Sequence, residues 1–87
     1  MIRIIDEFLQ ELKVNGTEEK TIMDYSKFLK NINRLKSLEK WEKTDVNKYI
    51  LEKHNECLTV TVHLYKVKIK RFFTWAGKSE IVSHLNT

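Results

Sequence analysis

Residues 59–77 read Thr59-Val60-Thr61-Val62-His63-Leu64-Tyr65-Lys66-Val67-Lys68-Ile69-Lys70-Arg71-Phe72-Phe73-Thr74-Trp75-Ala76-Gly77, and two periods compete in them. Thr59 to Val62 and Lys66 to Lys70 alternate with period two and are rich in β-branched residues, which is a strand signature. Helical spacing accounts for more of the segment. Val62, Tyr65, Ile69, Phe72, Phe73 and Ala76 share one face, and Gly77 supplies a C-terminal stop. No other segment offers a strand partner, and an isolated strand does not persist in water. The segment is expected to be a helix, and the chain all-α.

Upstream, the absence of proline and the presence of only two glycines leave few places to break the chain, so long helices with short turns are expected. Gly16 ends a first helix with an apolar face of Ile5, Phe8, Leu9 and Leu12, spaced i, i+3, i+4, i+7. Thr17 is expected to cap a second helix, with Glu18 and Glu19 in its first turn, where the helix dipole favours acids. That helix runs through Ile22, Tyr25, Phe28, Leu29, Ile32 and Leu35. At about 100° per residue, Lys20, Met23, Lys27, Lys30 and Arg34 fall on the opposite face, with Asp24 and Asn31 beside them. Residues 39–56 mix Glu39, Glu42, Asp45, Glu52 and Glu56 with Lys40, Lys43, Lys48 and Lys53, which reads as a solvated surface. Thr44 or Asp45 is expected to cap a third helix anchored by Val46, Tyr49, Ile50 and His54. Trp41, in the preceding turn, is expected to plug the core from outside. The tail from Lys78 to Thr87, with Ile81, Val82 and Leu85, reads as a short docked turn or the start of a linker.

Eighty-seven residues make one domain with a modest core. At 41% hydrophobic and 32% charged the chain is globular in composition. The single cysteine, Cys57, permits no internal disulfide; it fits a reducing compartment and reads as a small apolar filler. No apolar run reaches the roughly 18 residues that a membrane span needs. The opening Met1-Ile2-Arg3-Ile4-Ile5-Asp6 is too acidic and too short for a signal peptide. A cytoplasmic location is expected. His54, His63 and His84 are isolated from one another, and His54 with Cys57 lacks the two further ligands a zinc site requires. No glycine-rich phosphate loop is present. Acid pairs such as Asp6-Glu7 and Glu18-Glu19 read as exposed or helix-start residues. No cofactor, no metal, no small-molecule substrate and no catalysis are expected of this chain.

Charge is more informative. Sixteen Lys and Arg against twelve Asp and Glu give a net of +4. Residues 58–78 alone hold five basic residues (Lys66, Lys68, Lys70, Arg71, Lys78) and no acid. A localised basic face on a small domain is the electrostatic footprint of a polyanion, nucleic acid first. A lysine-rich helix face is ordinarily just a solubilising surface, but such a surface interleaves both signs. Two helices that each back an apolar stripe with a cationic one can straddle duplex phosphates. Thr21, Thr61 and His63 add short polar groups suited to phosphate or base-edge contact. Phe72 and Phe73 fall on the buried face, whereas Trp75 lies off it and is available to a partner.

The order of residues resembles a known family. A helix with Phe8-Leu9 and Leu12 leads to Gly16-Thr17-x-x-Lys20-Thr21-Ile22-x-x-Tyr25, then to a Phe28-Leu29 pair and a third-helix entry at Thr44-Asp45 with Tyr49-Ile50. Leu58-Thr59-x-Thr61-Val62-x-x-Tyr65 and Ile69-Lys70-Arg71-Phe72-Phe73-x-Trp75-Ala76 follow. The series is similar to the N-terminal, SAM-like core-binding domain of the tyrosine recombinases, the phage-integrase and Xer-type family, over roughly residues 4–77. The two Thr-(Ile/Val)-x-x-Tyr steps, followed by Lys-Arg-Phe-Phe-x-Trp, carry the likeness.

The resemblance implies a compact four-helix SAM-like orthogonal bundle over residues 1–77, with 78–87 a tail or the start of a linker to a catalytic domain. It implies one jaw of a clamp on double-stranded DNA, with contacts to other recombinase protomers in the intact enzyme. By position, the groove-facing candidates are Lys20, Thr21, Asp24, Lys27 and Lys30 on the second helix, and Thr61, Leu64, Lys68 and Arg71 on the fourth. The wheel places Lys66 and Lys70 on the other flank of that helix. There are departures: Asp24 is acidic within the presumed DNA face, Val60 and Leu64 replace polar residues, and Ser83-His84 stands where Asn-Pro often marks the linker. The family's catalytic Arg, Lys, His-x-x-Arg and nucleophilic Tyr belong to a second domain, and Tyr25, Tyr49 and Tyr65 all lie on core-facing stripes. The chain by itself is expected not to cut or join DNA. Two other readings stand beside this one: a freestanding small DNA-binding or regulatory protein, and a helical protein-interaction module whose basic face meets an acidic protein.

Overall fold

A computed structural model of the chain describes residues 2–85 and resolves the competition in residues 59–77 in favour of the helix. Four α-helices form: α1 (Ile2–Val14), α2 (Glu19–Leu35), α3 (Lys43–Glu56) and α4 (Thr59–Trp75), with 3₁₀ turns at Leu38–Lys40 and Ser79–Ile81. No strand occurs among the described residues. On α4, Val62, Ile69, Phe72 and Phe73 are fully buried, and Tyr65 and Ala76 are half-buried. Burial of such side chains is worth about 1.5–3 kcal/mol each, whereas strand propensity spans only about 1 kcal/mol per residue. Packing of the helical stripe outweighs the β-branched preference of Thr59–Val62.

The chain divides into two compact units, residues 1–40 and 41–87. In the first, α1 packs against α2. Ile5, Phe8 and Leu12 of α1 and Tyr25, Phe28, Leu29 and Ile32 of α2 are buried, and Phe8 meets Tyr25 edge-to-face at 5.6 Å. In the second unit α3 packs against α4, and both pack against the Ser79–Ile81 turn. Trp41 is a full member of this core, 2% exposed. It packs edge-on against Tyr49 at 5.9 Å and tilted against Phe73 at 6.1 Å. The tail is docked as far as it is described, with Ile81, Val82 and Leu85 buried. Residues 1, 86 and 87 lie outside the described residues.

The helix ends differ from expectation in instructive ways. Thr17 does not cap α2; it closes α1. Gly16, at φ +81°, lets its own N–H donate to the Lys13 carbonyl (3.1 Å) and the Thr17 N–H donate to the Leu12 carbonyl (3.0 Å). This is the six-to-one and five-to-two pair of a Schellman ending. Gly77, also at φ +81°, repeats it at the end of α4, with Lys78 N–H on the Phe73 carbonyl (2.8 Å) and Gly77 N–H on that of Thr74 (3.3 Å). The N-cap of α2 is Glu18, that of α3 is Glu42, and that of α4 is Leu58. Asp45 is the third residue of α3, and its carboxylate reaches back to accept the Glu42 N–H at 2.9 Å, half of a capping box. His54 is exposed and anchors nothing in the core.

Leu35 is 67% exposed although the spacing puts it on the buried stripe. The helix stops there because the Asn33 side-chain oxygen accepts the Leu38 N–H at 3.1 Å. The chain turns out through an extended Lys36 and buries Leu38 instead.

Two measurements test these assignments. A Cβ at Gly16 or Gly77 meets nothing within 4 Å, so the cost of Gly16→Ala and Gly77→Ala is the backbone strain of an L-residue held at positive φ, about 1–2 kcal/mol each in urea unfolding. Burial pushes the Tyr49 phenol up to about 12, with Tyr65 adding to it. A proton held more tightly in the fold than in the unfolded chain stabilises fully below about pH 10, and that contribution is lost as pH rises towards about 12. Tyr49→Phe is expected to flatten this part of the alkaline stability profile.

Candidate nucleic-acid interface

Along α2, Lys20, Lys27, Lys30 and Arg34 are all exposed. The helical rise spreads them over about 21 Å. Met23, 54% exposed, lies between them, and Thr21 is half-buried at the edge. Asp24 is exposed on the same side, and Glu19, the first residue of α2, is exposed at its N-terminal end, so this face is cationic with two acids set into it. The stripe arises because the apolar positions Tyr25, Phe28, Leu29 and Ile32 turn inward at helical spacing and leave the lysines no other direction.

The fourth helix sorts its cations by role. Lys70 donates to the Leu85 carbonyl at 3.3 Å, and Lys78, just past the helix, donates to the Trp41 carbonyl at 2.6 Å. Lys78 also stands 5.9 Å from the Phe73 ring centroid. Two of the five cations of residues 58–78 therefore hold the second unit together. Lys66, half-buried, lines a cleft shared with α3 and the C-terminal turn. Thr61, Leu64, Lys68 and Arg71 form a separate stripe at i, i+3, i+7 and i+10. Thr61 and Lys68 are half-buried, and Leu64 and Arg71 are exposed.

The structure thus gathers the α2 candidates on one helix face in residues 1–40 and the α4 candidates on one helix face in residues 41–87. Sequence reasoning missed the bonds made by Lys70 and Lys78, whose partners lie 15 and 37 residues away. It also left open whether Val60 and Leu64 pack. They do not, being 68% and 55% exposed, and Val67 and Trp75 at 37% each extend the apolar edge of that stripe. Trp75 leans on Phe72 at 6.0 Å.

The α3 surface behaves differently. Lys53 donates to Glu56 at 3.0 Å, and that bond holds the ammonium above its ordinary value. An exposed pair of this kind contributes about 0–1 kcal/mol and neutralises the surface it sits on. The whole length of α4, Thr59–Trp75, contains no acid. No group of three or more metal-ligating side chains occurs among the described residues. No described helix is long and apolar enough to cross a membrane.

Lys78→Met is expected to cost about 1–3 kcal/mol, because it strands the Trp41 carbonyl in a partly buried site. Lys27→Ala, on the outer face of α2, is expected to change stability by no more than about 0.5 kcal/mol. The difference is read from urea midpoints of the two variants. Comparison with protein-family models, with curated proteins and with solved structures gives no match for this chain.

Proposed function

We propose that the chain binds duplex DNA, as the core-binding domain of a tyrosine-recombinase-type enzyme binds its site, and does no chemistry itself. The observation that carries the DNA reading is the absence of any acid along α4, with Lys68 and Arg71 on one helix face beside Thr61 and Leu64. Arginine and lysine reach phosphate oxygens, threonine supplies a short donor, and an exposed Leu64 side chain suits a thymine methyl. The exposed row Lys20, Lys27 and Lys30 on α2 is the second phosphate-binding set in this proposal. Asp24 fits the same face by accepting from a cytosine or adenine amino group. The recombinase part, including the SAM-like arrangement of the helices, rests on the resemblance of the Thr-(Ile/Val)-x-x-Tyr steps.

A short mixed-sequence duplex titrated at several salt concentrations tests this. The expected dissociation constant is in the nonspecific range, roughly 10⁻⁴–10⁻⁶ M at physiological salt, with log affinity falling linearly with log salt. Lys20→Ala, Lys27→Ala and Lys30→Ala together are expected to flatten the slope by up to about three phosphate contacts. Lys68→Ala with Arg71→Ala should remove up to about two. A response to one set alone leaves a single-helix DNA binder and removes the clamp. If neither set changes the slope, DNA is the wrong partner. The exposed Val60, Leu64 and Val67 then favour the reading as a protein-interaction module.

A further inference from the structure

We propose that the cleft between α3, α4 and the C-terminal turn binds a small organic anion: a phosphate or carboxylate group carried on an apolar body. The cleft has a volume of about 330 Å³, at the lower end of the range for small-molecule sites. It belongs wholly to the unit of residues 41–87. It does not depend on the DNA reading, since it lies on the Lys66 flank of α4 and not on the Lys68 and Arg71 flank.

The chemistry of the lining decides the ligand class. Three elements bring ionisable groups to it: His54 from α3, Lys66 from α4 and His84 from the C-terminal turn. Each is a cation or becomes one on protonation, and among the described residues no carboxylate lines the cleft. The Lys70 ammonium donates to the carbonyl of Leu85, a residue of the lining, and adds a further positive charge beside it. The Lys66 ammonium offers three donors and no acceptor. Asn47 sits 2.6 Å from His84 through Oδ1 and Nε2. With the ring N–H donating to that oxygen, the amide NH₂ remains as a further donor. A site with several donors and converging positive charge is matched by an anion.

The rest of the lining is apolar. Ile50 and Leu85 are buried, and Leu51 stands 65% exposed at the rim. A bare inorganic ion leaves that surface wet, whereas an aryl or alkyl group attached to the anion covers it. That covering is favourable in proportion to the apolar area removed from water. The apolar floor also argues against a DNA backbone phosphate, which presents sugar and solvent there.

The test is an NMR titration of the full chain with phenyl phosphate. Inorganic phosphate and phenol serve as comparison probes. The expected result is saturable shifts at Asn47, His54, Lys66 and His84 at millimolar concentration, weaker binding of inorganic phosphate, and no response of the two histidine rings to phenol. Lys66→Gln is expected to weaken it about tenfold, the effect of losing one charge-assisted bond. If that variant loses its native spectrum, His54→Gln, at an exposed position, takes its place with an expected loss of severalfold. Shifts that do not saturate, or that spread over all lysines, overturn the proposal. So does a duplex that moves these same four residues at low salt while phenyl phosphate leaves them still.

Discussion

The bond from the Lys78 ammonium to the Trp41 carbonyl closes residues 41–87 on themselves. Trp41 is the first residue of that unit, and Lys78 follows its last long helix. Joining them makes the aromatic core a closed set rather than an open stack. Trp41 fills the space against Tyr49 and Phe73, and Phe73 in turn packs edge-on against Phe72 at 5.2 Å. The bond depends on Gly77. Only a residue content with positive φ turns the chain back over the end of α4, and that turn aims Lys78 at its acceptor. The docked Ile81, Val82 and Leu85 follow from the same reversal.

Much of this was legible because helical burial is periodic. Tyr25, Phe28, Leu29 and Ile32 declare their face at a spacing that strands cannot use, and so do Val62, Ile69, Phe72 and Phe73. Gly16 and Gly77 announce the two reversals for the same local reason. What was not legible depends on partners distant in sequence or on competition between neighbours. Thr17 resembles a cap, but the Schellman bond claims its N–H for Leu12. Leu35 carries the right spacing, but Asn33 ends the helix by taking the Leu38 N–H. Neither outcome is written in the identity of the residue itself.

The candidate interface divides in the same way. That Lys20, Lys27 and Lys30 stand out from α2 follows from the stripe opposite them, and helical spacing was enough to find them. On α4 the count of positive charges was visible, but their employment was not. Lys70 and Lys78 act on carbonyls of the protein's own backbone, Lys66 turns into a cleft, and Lys68 and Arg71 take another flank. Net charge over a segment therefore overstates what that segment offers to a polyanion. The His54, Lys66 and His84 cleft escaped the sequence because its three elements are brought together only by the docked tail.

The placement of the two tryptophans has an optical consequence. Both belong to residues 41–87, one sealed in the core and the other 37% exposed at the end of α4, and residues 1–40 contain none. Indole emission consequently reports on the second unit alone, with Trp41 as the buried blue-shifted fluorophore and Trp75 as the quencher-accessible one. Circular dichroism sums over α1 to α4. Whether the two signals melt together is thus a direct readout of whether the halves of this chain fold as one cooperative body.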